Sequence, residues 1–162
     1  MNNPRIFFLL TIFLFLTSCE AEINIYLDDP EQAGNTAADY MEQFFIKKNS
    51  KNAISYMHEE FIKMVPEPDL QKMIDSTKSV PAIKRIEAIS FVINSEEKGN
   101  IAVYLMATRV DDVKAFLTIF TNGDSIEGYK VLGFETMGDT RNPDDLPGET
   151  YKERDIKIAR GI

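Results

Sequence analysis

Ile101-Ala102-Val103-Tyr104-Leu105-Met106-Ala107-Thr108 alternates without a break, setting Ile101, Val103, Leu105 and Ala107 on one face and Tyr104, Met106 and Thr108 on the other. A period of two over this length is the mark of a strand with one buried face. Upstream, Glu96-Glu97-Lys98-Gly99-Asn100 reads as a turn, and before it Ile89, Phe91 and Ile93 alternate with Ser90 and Asn94. Downstream, Asp111-Asp112 marks a reversal and Val113, Ala115, Leu117 and Ile119 resume the alternation. Asn122-Gly123 is a two-residue hairpin signal, after which Ile126, Leu132 and Phe134 carry a last strand to about Met137. Consecutive strands joined by short turns form an antiparallel meander.

An apolar sheet face needs a cover, and the chain before Ile83 supplies helices. Thr36 to Lys48 carries Ala37, Met41, Phe44 and Phe45 on one stripe, with Asn35 or Thr36 as cap and Lys47 and Lys48 at the C-terminal end. Ser50 can cap a shorter helix with Ala53, Ile54 and Met57 inward, and Phe61 to Val65 reads as a short strand. Pro66-Glu67-Pro68 opens a third helix with Leu70, Met73, Ile74 and Thr77 on one side, ended by Val80-Pro81. The expected fold class is α+β, N-terminal helices packed on a curved antiparallel sheet.

The front of the chain has another character. Arg5 is followed by an apolar block from Ile6 to Leu16, too short to span a bilayer and of the length of a secretory signal. Leu16-Thr17-Ser18-Cys19 closes that block and resembles the lipobox of bacterial lipoproteins. The resemblance implies removal of residues 1–18, lipid on Cys19, and attachment to a membrane of the bacterial envelope, with the outer membrane favoured. Cys19 is the only cysteine, so no intramolecular disulfide competes for it. Residues 19–34 read as a lipidated tether, 35–137 as the folded domain, and 138–162 as a polar tail in which Ile156 and Ile158 can add one short edge strand.

Charge excludes whole classes of partner. The chain has 18 basic and 26 acidic residues; without Arg5 the balance is 17 against 26, a net −9. Such a surface argues against nucleic acid and against electrostatic adhesion to anionic lipid. No Gly-rich phosphate loop is present, and His58 is the only histidine, so a paired-histidine zinc site is unavailable. Asp111-Asp112 and Asp144-Asp145 lack the spacing of a calcium loop and read as solvated turn and tail. No metal or cofactor is expected. His58 reads as a surface residue ending a helix.

Ala37-Ala38-Asp39-Tyr40-Met41-Glu42-Gln43-Phe44-Phe45, a short second helix, Phe61-Ile62-Lys63-Met64, a third helix and a closing meander together resemble the NTF2-like, or cystatin-like cone, superfamily, in particular its small bacterial lipoprotein members. The first long hairpin of larger members is missing. The resemblance implies a cone whose pocket candidates are Asp39, Tyr40, Phe44, Tyr56, His58, Tyr104 and Arg109. It also implies two readings of function. One is a non-catalytic domain that binds a small apolar ligand, a peptide or an envelope protein partner; the other is a small acid–base enzyme, isomerase- or dehydratase-like. Large residues at Met41, Phe44, Val103, Leu105, Leu117 and Ile119 favour a filled cone and hence the first.

Overall fold

The computed structural model describes residues 28–138, 143–151 and 157–162. The signal segment and Cys19 lie outside the described residues, as does most of the tether.

Four long antiparallel strands organise the molecule: β1 (Ile83–Ile93), β2 (Asn100–Arg109), β3 (Lys114–Asp124) and β4 (Gly128–Gly138). Two short strands, β5 (Glu149–Thr150) and β6 (Ala159–Gly161), complete a six-stranded open sheet in the order β4-β3-β2-β1-β5, with β6 also on β1. Ile101, Val103, Leu105 and Ala107 are all buried, as the alternation of β2 requires. Val103 pairs with Ile119 and Leu105 with Leu117, so the inward faces of β2 and β3 coincide. Between Ala88 and Ser90 a bulge interrupts β1 and changes which residues point inward, so Ile86 and Ala88 are buried while Ile89 is only partly covered.

Helix α1 (Pro30–Met41) lies across the inner face of the sheet and touches all four long strands. It begins before the expected Thr36. Asp29 is its cap, accepting from the backbone N–H of Gln32 at 3.0 Å, and Pro30 occupies the first turn, where a missing N–H costs nothing. The boundary at residue 35 thus falls inside a helix, and residues 30–34 are not tether. Gly34 is buried because a Cβ there would stand 2.5 Å from both Ile158 Cδ1 and Tyr151 Oη. Past Met41 the helix widens into a π-turn, Glu42–Ile46, and Lys48 ends it at φ 51.

Helices α2 (Ser50–Ile54), α3 (Glu59–Met64) and α4 (Glu67–Ser76) follow, with Asn49 rather than Ser50 capping α2. The stretch expected as a strand at Phe61 to Val65 is therefore helical up to Met64. Glu59 and Glu60 in its first turn favour that helix through the backbone dipole. Between α2 and α3 the chain runs against the outer edge of β4. There Val131 N–H donates to Tyr56 O and His58 N–H to Val131 O, each at 2.8 Å.

The last hairpin also differs from expectation. Asn122 and Gly123 stay in β3, and the turn runs from Asp124 to Gly128. Asp124 Oδ1 accepts from the N–H groups of Ile126 and Glu127, each at 2.7 Å, and Gly128 closes the turn at φ 84. Ile126 is consequently 86% exposed rather than a strand residue of the core. The described parts of the C-terminal stretch are not a free tail either. Tyr151 and Ile158 are buried in the main core, and the strand near Ile158 is Ala159–Gly161, paired with Arg85 to Glu87.

Ala37, Met41 and Phe44 meet Val103, Leu105, Leu117 and Ile119 in one continuous core. Phe134 closes it, with Phe44 at 5.5 Å and Phe61 at 6.5 Å between ring centroids. Among the described residues, no helix is long and apolar enough to cross a membrane.

Candidate functional site

The seven pocket candidates do not converge. Tyr40 and Phe44 lie inside the helix–sheet core, their rings 6.2 Å apart, and Tyr40 reaches Phe134 at the same distance. Tyr40 Oη is buried without a hydrogen-bond partner among the described residues, and burial raises its ionisation well above that of an ordinary phenol. Asp39, on the next position of α1, faces away and accepts from Arg160 Nε at 2.5 Å. Tyr56 and His58 lie at the outer edge of β4. His58 begins a helix rather than ending one: its Nδ1 accepts from the N–H of Glu60 at 3.3 Å. Arg109 leaves the sheet at the β2–β3 turn and holds Asp111 through Nε at 3.0 Å and Nη2 at 2.5 Å. That guanidinium keeps the Asp111 carboxyl below the usual carboxylate range. Tyr104 is on the opposite face of the sheet, paired with Ser90 and Thr118.

That outer face carries the feature the sequence reading passed over. Val92, Ala102, Phe120 and Gly133 stand directly opposite one another across β1 to β4, an apolar row running at right angles to the strands. A bulge in β4 between the partners of Phe120 and Thr121 inserts Leu132 beside the row. Phe120 remains 38% exposed. These side chains floor an open groove of about 590 Å³, bordered by the β1–β2 turn from Asn94 to Glu97. The chain leaves β4 at Gly138 on one side of the sheet and rejoins it at Glu149 on the other. On its return Gly148 sits against Val92, where a Cβ would come within 2.6 Å of Cγ2. Ser90, Phe116 and Thr118, farther along the same face, are buried, so the open apolar surface is confined to the end near the turns.

Alternation alone puts Ala102 and Phe120 on one face; the groove also needs the pairing register and the Leu132 bulge, which periodicity does not encode. A second concavity, of about 680 Å³, is lined by Lys47, Lys48, Asn49, Ser50, Lys51, Glu67, Pro68 and Gln71 on the helical side. Its walls are mostly polar and charged side chains, and Lys47 is already paired with Glu42 at 2.9 Å. Among the described residues no group of three or more histidine, cysteine, aspartate or glutamate side chains is arranged to hold a metal ion.

Comparison with known proteins returns no matching family model, no matching curated protein and no matching solved structure.

Proposed function

We propose that this chain is an envelope lipoprotein, held on a membrane by lipid on Cys19, whose folded part is a reduced NTF2-like domain without catalytic activity. It binds a small apolar ligand, a peptide or another envelope protein. The observation that carries this reading is the contrast between the two faces of the sheet. The helix side, where an acid–base enzyme of such a fold would keep its pocket, is filled by Tyr40, Met41, Phe44, Leu105 and Phe134. The outer side keeps an open apolar groove. A reaction centre needs acid and base within reach of one substrate atom, whereas Asp39, His58 and Arg109 are spread over separate elements.

Two experiments test the proposal. Metabolic labelling with an alkyne fatty acid should mark the wild type and not Cys19→Ala; equal label on both removes the anchor from the reading. Affinity capture from detergent-solubilised membranes should then recover a partner with the wild type and lose it with Phe120→Ala. Partner recovery indifferent to Phe120 would place binding elsewhere.

A further inference from the structure

We infer that the outer-face groove takes an extended segment of a partner protein that presents an apolar side chain flanked by lysine or arginine. This rests on the reading of the chain as a binding module and names the chemistry of what it binds. The floor is apolar: Val92, Ala102, Phe120 and Leu132 offer no charge and little hydrogen bonding. The border is acidic. Glu96 and Glu97 line the groove from the β1–β2 turn, both exposed, and no lysine or arginine lines it among the described residues. Glu97 is held in place by Asn100 Nδ2 at 2.5 Å, and the Glu96 N–H is fixed by Asn94 Oδ1 at 3.0 Å, so the turn presents its carboxylates from an ordered frame.

The same acids argue against the other occupants. A second copy of this chain, docked groove to groove, would bring two Glu96–Glu97 pairs together. An anionic lipid headgroup would meet like charge at the rim. A cationic, partly apolar segment satisfies both parts of the surface, and complementary charge speeds its encounter with an acidic protein. The groove volume, about 590 Å³, falls inside the ~300–1,000 Å³ typical of ligand sites and suits a few side chains rather than a domain.

The test uses the full chain in phosphatidylcholine nanodiscs, with empty discs as blank. The probes are two fluorescein-labelled peptides, one alternating lysine with phenylalanine and one alternating glutamate with phenylalanine. Only the lysine peptide should bind, and added salt should weaken it. Phe120→Ala and the double variant Glu96→Gln/Glu97→Gln should each weaken it about tenfold or more. Glu59→Gln/Glu60→Gln, an equal change of charge on helix α3, should leave it unaltered. Unchanged melting temperatures establish that the variants fold. Equal binding of both peptides, absence of binding, or equal weakening by the Glu59/Glu60 variant overturns the assignment of a basic segment. Exchange protection of residues 92–102 by the discs alone also overturns it, since the occupant is then lipid. The binding-module reading fails separately, when membrane capture gives no Phe120-dependent partner; such a partner insensitive to Glu96→Gln/Glu97→Gln leaves that reading standing and removes only the cationic chemistry.

Discussion

Arg160 Nε lies 2.5 Å from Asp39 Oδ1, and its Nη2 donates to Asn35 Oδ1 at 2.9 Å, so a strand of the C-terminal stretch is tied to the first helix across 121 residues of chain. The two side chains of the ion pair are only 27% and 31% exposed, and β6 pairs with β1 through Arg85, Ile86 and Glu87. Charge-assisted bonds of this kind each contribute about 1.5–3 kcal/mol. Arg160→Ala should accordingly cost about 2 kcal/mol and accelerate amide exchange along Arg85 to Glu87 before the rest of β1. Unaltered exchange at those amides would show that strand pairing alone holds β6.

Phe44 sits among Tyr40, Phe45 and Phe134, with ring centroids 4.9–6.2 Å away. Phe44→Ala should lower stability by about 3–5 kcal/mol in denaturant melts, the usual cost of truncating a buried aromatic. A variant that melts like the wild type would mean that Phe44 borders open space, which would revive the enzyme reading.

Tyr40→Phe should do the opposite. It removes a buried hydroxyl that has no hydrogen-bond partner among the described residues, and such a group costs about 1–3 kcal/mol. Burial also holds the phenol protonated in the folded state beyond the point where the unfolded chain ionises, near 10.0. The unfolded state therefore binds fewer protons above that pH, and stability falls as pH rises. Tyr40→Phe should raise the melting temperature at neutral pH and flatten the decline above about pH 10. A steeper alkaline decline in the variant would contradict this account.

Gly34→Ala places a methyl group 2.5 Å from Tyr151 Oη and Ile158 Cδ1. Alanine is the better helix former, so propensity alone predicts a gain of about 1 kcal/mol. Crowding should win, because Tyr151 is anchored by its own bond to Pro30 O at 2.7 Å. A loss of about 1–3 kcal/mol is expected from overpacking, read as a lower denaturant midpoint.

Residue pattern revealed the meander where strands are long and one-sided: Val103 and Leu105 fall where alternation puts them because both neighbours, β1 and β3, run the full length of β2. It left Pro30 and Gly34 in the tether, since their roles come from a helix start and from contact with Tyr151, which is far away in sequence. Phe61 was legible as apolar, but a six-residue helix is too short for its period to be distinguished from a strand. Two- and three-residue strands such as β5 and β6 leave little periodic trace, so beyond one short edge strand at Ile156 and Ile158 the C-terminal stretch looked like a polar tail. Of the site, Phe44 was legible from the helical stripe as a residue of the inner side, and alternation already set Tyr104 on the face opposite Val103 and Leu105, whereas the burial of Tyr40 and the position of Arg109 at a strand end depend on tertiary packing.

The outer edge of β1 is covered by β5 and β6, both made after every other strand. During synthesis the four-stranded meander can close while this edge still presents unpaired N–H and C=O groups, a template for another chain's strand. Addition of β5 and β6 withdraws that template, so these few backbone bonds protect solubility as well as adding to stability. A chain cut before Ala159 would keep most of its core but lose the Arg160–Asp39 pair, so it should melt earlier and also clump at high concentration.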